Sequence, residues 1–258
     1  MNILLTGASS GIGAATARLL AAEGHTVGIV GRRAALLHAV LADCLLVAPE
    51  SRAWVADLGD LELAEGIAEE AEQVFGTVDA IINNAAVPKR LPAQQMTAPI
   101  TEQVMRVNFF SPVRMTLRLL PSMLERSSGV IVNVASLGGR LGIPHESAYC
   151  ASKFALTGWS EALAIDLDGT GVAVRLIQPG PIATDIWDRP GERPAAIDVP
   201  KEPPEIVARV IADALHGDHF EYYVPDLKAV VDYKQSDIDG FISGTAAMIA
   251  ETHEGDPI

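Results

Sequence analysis

The stretch Ile3-Leu-Leu-Thr6-Gly-Ala-Ser-Ser-Gly-Ile-Gly13 decides the fold. Its first four residues have the character of a buried β-strand, and the glycines that follow let the backbone turn tightly into a helix running from Gly11 to Glu23. Small residues at such a junction let backbone N–H groups at a helix N-terminus approach a pyrophosphate closely. The residues this assigns to an anion are Gly7, Ser9, Ser10, Gly11, Ile12 and Gly13. Taken alone, such a turn also occurs as plain strand-to-helix packing.

Downstream the same alternation repeats. Gly24 caps the first helix, Thr26 to Val30 reads as a strand, Arg33 to Asp43 as a helix and Ala53 to Ala56 as a strand. A helix over Leu61 to Phe75 and a strand over Val78 to Ile82 follow, then a long amphipathic stretch from Pro99 to Glu125 before the strand Val130 to Ala135. A second long helix, Ser147 to Leu167, precedes the strand Val172 to Ile177, and Glu205 to His216 and Glu221 to Val224 read as a last helix and strand. The middle strands are apolar nearly throughout, as expected when helices cover both faces of a parallel sheet. The expectation is an α/β chain: one Rossmann domain over residues 1–258, doubly wound, with a Pro- and Gly-rich substrate lid at about 184–204. The closing residues 251–258 are polar and acidic and read as frayed.

Composition narrows the function. A net charge of −14 without a Lys/Arg cluster disfavours nucleic acid as a partner. No apolar run approaches the ~20 residues needed to span a bilayer, and the N-terminus carries no export signal, so no membrane partner is expected. Two cysteines, Cys44 and Cys150, cannot build a disulfide framework, which points to a reducing cytoplasm. Six scattered histidines offer no metal-ligand spacing, so no metal site is expected. Cys150 points about 100° away from its helix neighbour Tyr149 and reads as a packing residue.

The second strand ends in Gly31-Arg32-Arg33, where an acidic residue would bind the ribose 2′-hydroxyl of NAD. A guanidinium grips a 2′-phosphate in a fork, so Arg32 and Arg33 favour NADP(H), with NAD(H) possible. Two arginines facing solvent at a strand end are the competing reading. Tyr149 and Lys153 lie four apart on a predicted helix and share a face. A free tyrosine titrates near ~10, and lowering that by ~3 units takes ~4 kcal/mol of differential stabilisation, which an adjacent ammonium favours. Ser136 ends the strand Val130 to Ala135, at the sheet edge where doubly wound folds bind ligands, and its hydroxyl can donate to a carbonyl oxygen.

Thr6 to Gly13, Asn83-Asn-Ala-Ala86, Asn108, Ser136, Tyr149, Lys153 and Pro179-Gly-Pro-Ile-Ala-Thr184 together resemble the classical short-chain dehydrogenases/reductases, in the family's order and spacing. The resemblance implies interconversion of a carbonyl and a primary or secondary alcohol by hydride transfer, with a small-molecule carbonyl or alcohol as substrate. Tyr149 would pass the proton and Ser136 would polarise the carbonyl. Lys153 would lower the tyrosine pKa and hold the nicotinamide ribose, while Asn108 would anchor a proton-relay water. It further implies contacts from Asp57 and Leu58 to the adenine and from Asn83 and Ala85 to the adenosine ribose side. Within the Pro179-Gly180 motif, Ile182 and Thr184 would meet the nicotinamide carboxamide. A homotetramer or homodimer built on the two long helices is implied as well.

The sequence departs from the family at Ala86, where Gly is usual, and begins its first strand at residue 2, which leaves that strand's edge short of cover. The substrate pocket is expected around Gly138 to Ile143, His145, Ile186 and Trp187, with Arg140 and His145 as polar handles. Two other functions fit parts of the pattern. One is a non-catalytic NADP(H)-binding regulatory protein of the same fold, which a carbonyl panel would distinguish. The other is an epimerase or dehydratase acting on nucleotide sugars, which shares Tyr-x-x-x-Lys but usually carries a different glycine spacing and a larger C-terminal domain.

Overall fold

Seven parallel strands form one sheet in the order β3-β2-β1-β4-β5-β6-β7 in a computed structural model that describes residues 1–188 and 191–252. The strands are β1 (Asn2–Thr6), β2 (Thr26–Gly31), β3 (Arg52–Val55), β4 (Ala80–Asn83), β5 (Gly129–Val134), β6 (Val172–Pro179) and β7 (Glu221–Val224). The helices are α1 (Gly11–Ala22), α2 (Ala34–Leu45), α3 (Leu61–Phe75), α4 (Ala98–Met105), α5 (Ser111–Glu125), α6 (Ser147–Asp166), α7 (Pro204–Ala214), α8 (Lys228–Ser236) and α9 (Ile238–Thr252). The expected strands lie within a residue or two of these bounds, the usual scatter of element ends.

Alternation along the strands builds two cores. On β1, Ile3 and Leu5 face α1, α2 and α7, while Leu4 faces α3, α5 and α6 on the opposite side. Helix α5 shows why a helix forms there. Met115, Leu119 and Met123 recur every fourth residue, and all three are fully buried against the sheet. Each such burial is worth roughly 1.5–3 kcal/mol. Helix α3 is delimited by its ends: Asp60 accepts from the Leu63 N–H at 3.1 Å, and Gly76 stops it at φ 74°.

Three expectations change. β1 is not short of cover, because it lies between β2 and β4 and its residues pair with both. The long stretch before β5 is two helices joined by a π-helical turn, Arg106–Phe110. Helices α8 and α9 follow β7, where no element was expected; the segment expected to fray lies, from residue 253 on, outside the described residues. Helical spacing was present in Ile238, Phe241, Ile242, Thr245 and Met248, but interspersed Gly and Ser conceal it.

Strand order reverses between β1 and β4, opening a crevice at the carboxyl ends of the strands. The segment after β6 arches over this crevice. Its base is tied where Ala183 N–H donates to the Glu202 carbonyl and Glu202 N–H to the Pro181 carbonyl, at 2.8 and 2.9 Å. Residues 189 and 190 of the expected lid lie outside the described residues. No described helix is long and apolar enough to cross a membrane.

Candidate active site

A cavity of about 790 Å³ fills the crevice. Every cofactor residue named from the sequence lines it except Asn83. At one end stands the N-terminus of α1. Ser10, its N-cap, makes no side-chain cap hydrogen bond, and the first turn holds no acidic residue, so no acid of the helix itself offsets the positive end that faces the cavity. Gly7 has φ +71°, and a Cβ there would lie 2.7 Å from the Ala85 Cα. A Cβ on Gly13 would strike the Gly7 carbonyl oxygen. The loop therefore packs backbone to backbone, a cradle into which only glycine fits.

Arg32 and Arg33 stand at the cradle's edge. Arg33 donates to Asp185 at 2.7 Å, to Ser9 Oγ at 3.3 Å and to Ser10 Oγ; Arg32 pairs with Asp57 at 3.4 Å. The Arg33 hydrogen bond holds the Asp185 carboxyl below the usual carboxylate range. These side chains are about half exposed, and such pairs contribute little, so either arginine can exchange a carboxylate for a ligand anion. Ala86 lines the cavity and is not among the described residues with left-handed backbone, which are Ser127 and His145 apart from glycines. Its extra methyl meets no backbone strain there.

Ser136, Tyr149 and Lys153 converge at the middle of the cavity. Ser136 begins a short 3-10 turn, Leu137–Gly139, and its Oγ accepts from the Gly138 N–H at 3.0 Å. The Ser136 hydroxyl and the Tyr149 phenol line the same part of the cavity, and Ser136 favours the charged form of the phenol. The Ser136 backbone N–H donates to Gln178 Oε1, and Gln178 Nε2 in turn donates to Glu221 at 3.0 Å. One turn of α6 beyond Tyr149, the Lys153 ammonium donates to the Val134 carbonyl at 2.8 Å and lies 5.8 Å from the centre of the tyrosine ring.

Burial dominates the protonation of this pair. It raises the Tyr149 phenol, with Ser136 opposing, and pushes Lys153 down to about 7. The tyrosine shift is opposite in direction to the one expected from the sequence, because desolvation of the buried phenolate, with the Glu146 carboxylate adding to it, outweighs the groups that favour the charged form. Cys150 is buried, its thiol pushed up to about 11 and its Sγ accepting from the Ile143 N–H, as a packing residue would be.

Two assigned residues sit behind the cavity. Asn83 donates to Thr116 Oγ1 and Asn133 Oδ1 in a buried network, so it does not reach a ribose as expected; the neighbouring Asn84 lines the cavity and donates to the carbonyls of Thr6 and Gly7. Asn108 lies in the π-helical turn, a distortion frequent at functional sites. Its Oδ1 accepts from Val87 N–H, and its amide donates to the Val87 carbonyl and to Ser152 Oγ, which donates to the Tyr149 carbonyl. One amide N–H thus braces α6 through Ser152, and the other ties Asn108 to the Val87 carbonyl in the loop after β4.

The expected polar handles turn away. Arg140 pairs with Glu161 and, at 2.9 Å, with Glu221, because those carboxylates lie beneath the turn that carries it; neither it nor His145 lines the cavity. Gly138 and Gly139 do not line it either, whereas Leu141, Gly142, Ile143, Ile186 and Trp187 do. Sequence reading missed Arg90 and Glu146, a nearly fully buried ion pair at 2.9 Å bordering the cavity, and Val230, Phe241, Thr245 and Met248 from α8 and α9. The helical spacing of α9 was the one available signal; nothing local marks Arg90 as buried.

The model of the family described as short chain dehydrogenase matches residues 1–194. The uncharacterized oxidoreductase YbbO of Escherichia coli is 35% identical over 216 residues, covering 81% of this chain and 75% of that protein. Dehydrogenase/reductase SDR family member 7B of Rattus norvegicus is 35% identical over 190 residues, or 71% of this chain, which spans 58% of that relative's length. A short-chain dehydrogenase from Sphingobium yanoikuyae, solved in complex with NADPH, superposes with a TM-score of 0.80 at 26% identity, covering 94% of each chain. The extent of the family match, together with a glycine cradle, a serine–tyrosine pair and a buried lysine around one crevice, establishes that this chain belongs to the short-chain dehydrogenase family.

Proposed function

We propose that this chain is an NADP(H)-dependent oxidoreductase interconverting a carbonyl and a primary or secondary alcohol, with Tyr149 as acid/base, in one nucleotide-binding domain whose lid covers about 184–204. One observation carries the reading: Ser136 and Tyr149 line the same cavity as the N-terminus of α1, with Lys153 one helical turn beyond Tyr149. The cradle that a Cβ would fill fits a pyrophosphate. Ser9, Ser10, Arg32 and Arg33 would hold a 2′-phosphate, and Lys153 and Thr184 the nicotinamide end. NAD(H) is the weaker alternative. A bound dihydropyridine ring would supply the hydride.

In the reducing direction Ser136 Oγ–H donates to the substrate oxygen and holds it beside the phenol. The Tyr149 proton would pass to that oxygen as the carbonyl carbon accepts a hydride ion and forms its new C–H bond, and the phenolate left behind would be stabilised by the Lys153 ammonium. Burial keeps the phenol protonated beforehand, the state the reduction requires. Asn108 acts indirectly, by holding α6 and the β4 exit loop together.

Large apolar side chains left exposed on the two long helical stretches, Phe110, Leu117 and Leu124 on one and Phe154 and Ile165 on the other, support a homodimer or homotetramer, and the two free cysteines support a cytoplasmic setting. The test is direct. NADPH is expected to bind more tightly than NADH, with the preference lost in Arg33→Ala. Tyr149→Phe is expected to lose about 10²–10⁴ of turnover with cofactor binding preserved. Equal affinity for both cofactors defeats the NADP(H) assignment, and full turnover in Tyr149→Phe defeats the mechanism.

A further inference from the structure

The cavity continues past Tyr149, away from the α1 cradle, to an end closed by the lid and by α8 and α9. Leu141, Ile143, Trp187, Val230, Phe241 and Thr245 border it, and Leu141, Val231 and Phe241 belong to one apolar cluster. Among the described residues the only charged ones bordering this end are Arg90 and Glu146.

That pair is closed to a ligand. Arg90 Nε donates to Glu146 at 2.9 Å, while its terminal nitrogens donate to the carbonyls of Ile186, Trp187 and Arg193 at 3.1 to 3.3 Å. Arg90 and Glu146 are 2% and 6% exposed, so neither has room to turn toward a new partner. The Arg90 guanidinium lies 4.9 Å from the centre of the Trp187 ring, whose Nε1–H donates to the Ile182 carbonyl at 2.6 Å. The indole is thereby fixed as a wall with its one polar atom already satisfied. Lys201 lies 5.2 Å from the centre of the same ring, but it does not border the cavity and is paired with Asp198 at 3.1 Å. An anion entering this end would lose its hydration and find no unpaired counter-charge among the residues that border it, whereas apolar surface would be buried.

We propose that this end is a subsite for the body of a neutral, predominantly apolar carbonyl compound, an aliphatic or alicyclic ketone or aldehyde, and that it rejects substrates bearing a carboxylate or phosphate distal to the reacting carbon. The proposal rests on the oxidoreductase reading for the word carbonyl, and on the cavity alone for the apolar, uncharged body.

The experiment compares 2-decanone with 9-oxodecanoate, which carries a carboxylate in place of the distal methyl, in NADPH oxidation by the full chain. The kcat/KM for 2-decanone is expected to exceed that for 9-oxodecanoate by about 100-fold. Within the series 2-hexanone, 2-octanone, 2-decanone it is expected to rise by up to about fourfold per added methylene, which is ~0.8 kcal/mol per buried CH₂. Thr245→Lys, which adds a free cation at the subsite, is expected to recover about tenfold of the lost activity toward 9-oxodecanoate.

Binding of both compounds is followed separately by tryptophan fluorescence, with Trp187→Phe as the control and NADPH present or absent. Tighter binding of 2-decanone without any turnover upholds the subsite and defeats the oxidoreductase reading. Equal or better binding or turnover of 9-oxodecanoate overturns the proposal, and so does failure of 2-decanone to bind.

Discussion

Arg90 and Glu146 form an ion pair at 2.9 Å between the loop after β4 and the residue before α6, three positions ahead of Tyr149. Burial raises the Glu146 pKa and the neighbouring guanidinium opposes the rise, so the carboxylate depends on its partner to stay charged. The same guanidinium holds three lid carbonyls, which links the wall of the substrate end to the helix carrying the phenol.

Arg90→Met should therefore destabilise the protein by about 3–5 kcal/mol, the usual cost of leaving a buried charge without its partner. At this chain length that corresponds to a fall in Tm of roughly 10 °C or more. The double variant Arg90→Met/Glu146→Gln should regain part of the loss, and limited proteolysis should cut the lid faster in both. Calorimetry and a digestion time course check this; a single variant as stable as the parent would show that the pair does not hold the lid.

Lys153 sets a pH dependence of stability in the cofactor-free protein. Its folded pKa is pushed down to about 7 from an ordinary 10.5. Between those values the unfolded chain binds the extra proton, so stability should rise as pH increases from about 7 toward 10, where the raised Tyr149 phenol begins to act in the opposite sense. Lys153→Met should flatten that rise and be more stable than the parent at pH 7 by an amount on the order of a few kcal/mol. Thermal melts of both proteins across the range decide it, and parallel curves would refute the effect.

Gln178 is fully buried and presents its carbonyl oxygen to the Ser136 N–H. Gln178→Leu keeps the volume but leaves that N–H without its partner and removes one of the hydrogen bonds to Glu221, which keeps Arg140. The expected result is a stability loss of about 1–3 kcal/mol and a turnover loss of about tenfold, concentrated in kcat as Ser136 loses its fixed orientation. A change confined to stability would reduce Gln178 to a packing role.

Gly7→Ala would place a methyl 2.7 Å from the Ala85 Cα at φ +71°. The loop must shift to admit it, so NADPH affinity should fall by at least about tenfold, measured by titration, with the sheet intact by circular dichroism. Undiminished affinity would show that the cradle does not contact the cofactor.

Much of the fold was legible in the sequence because local periodicity and tertiary packing agree. Apolar strands bounded by glycine, and helices such as α5 with a residue facing the sheet every fourth position, can be read one segment at a time. The cradle and the grouping of Ser136, Tyr149 and Lys153 were legible for the same reason: each is a short motif at an element end, placed by strand and helix alone. Asn83 and Arg140 misled because their sequence neighbourhoods match a binding role, while their partners, Thr116, Asn133, Glu161 and Glu221, come from distant segments.

Sequence alone determined the parallel sheet, the glycine turn at its switch point and the alignment of Tyr149 with Lys153, since all three follow from spacing within a few residues. Only the tertiary structure decided that Arg90 is buried against Glu146, that α8 and α9 close the substrate end, and that the phenol's pKa moves up. Burial and charge pairing are properties of the space between segments, and desolvation, which dominates both, is set by what the rest of the chain places around a group.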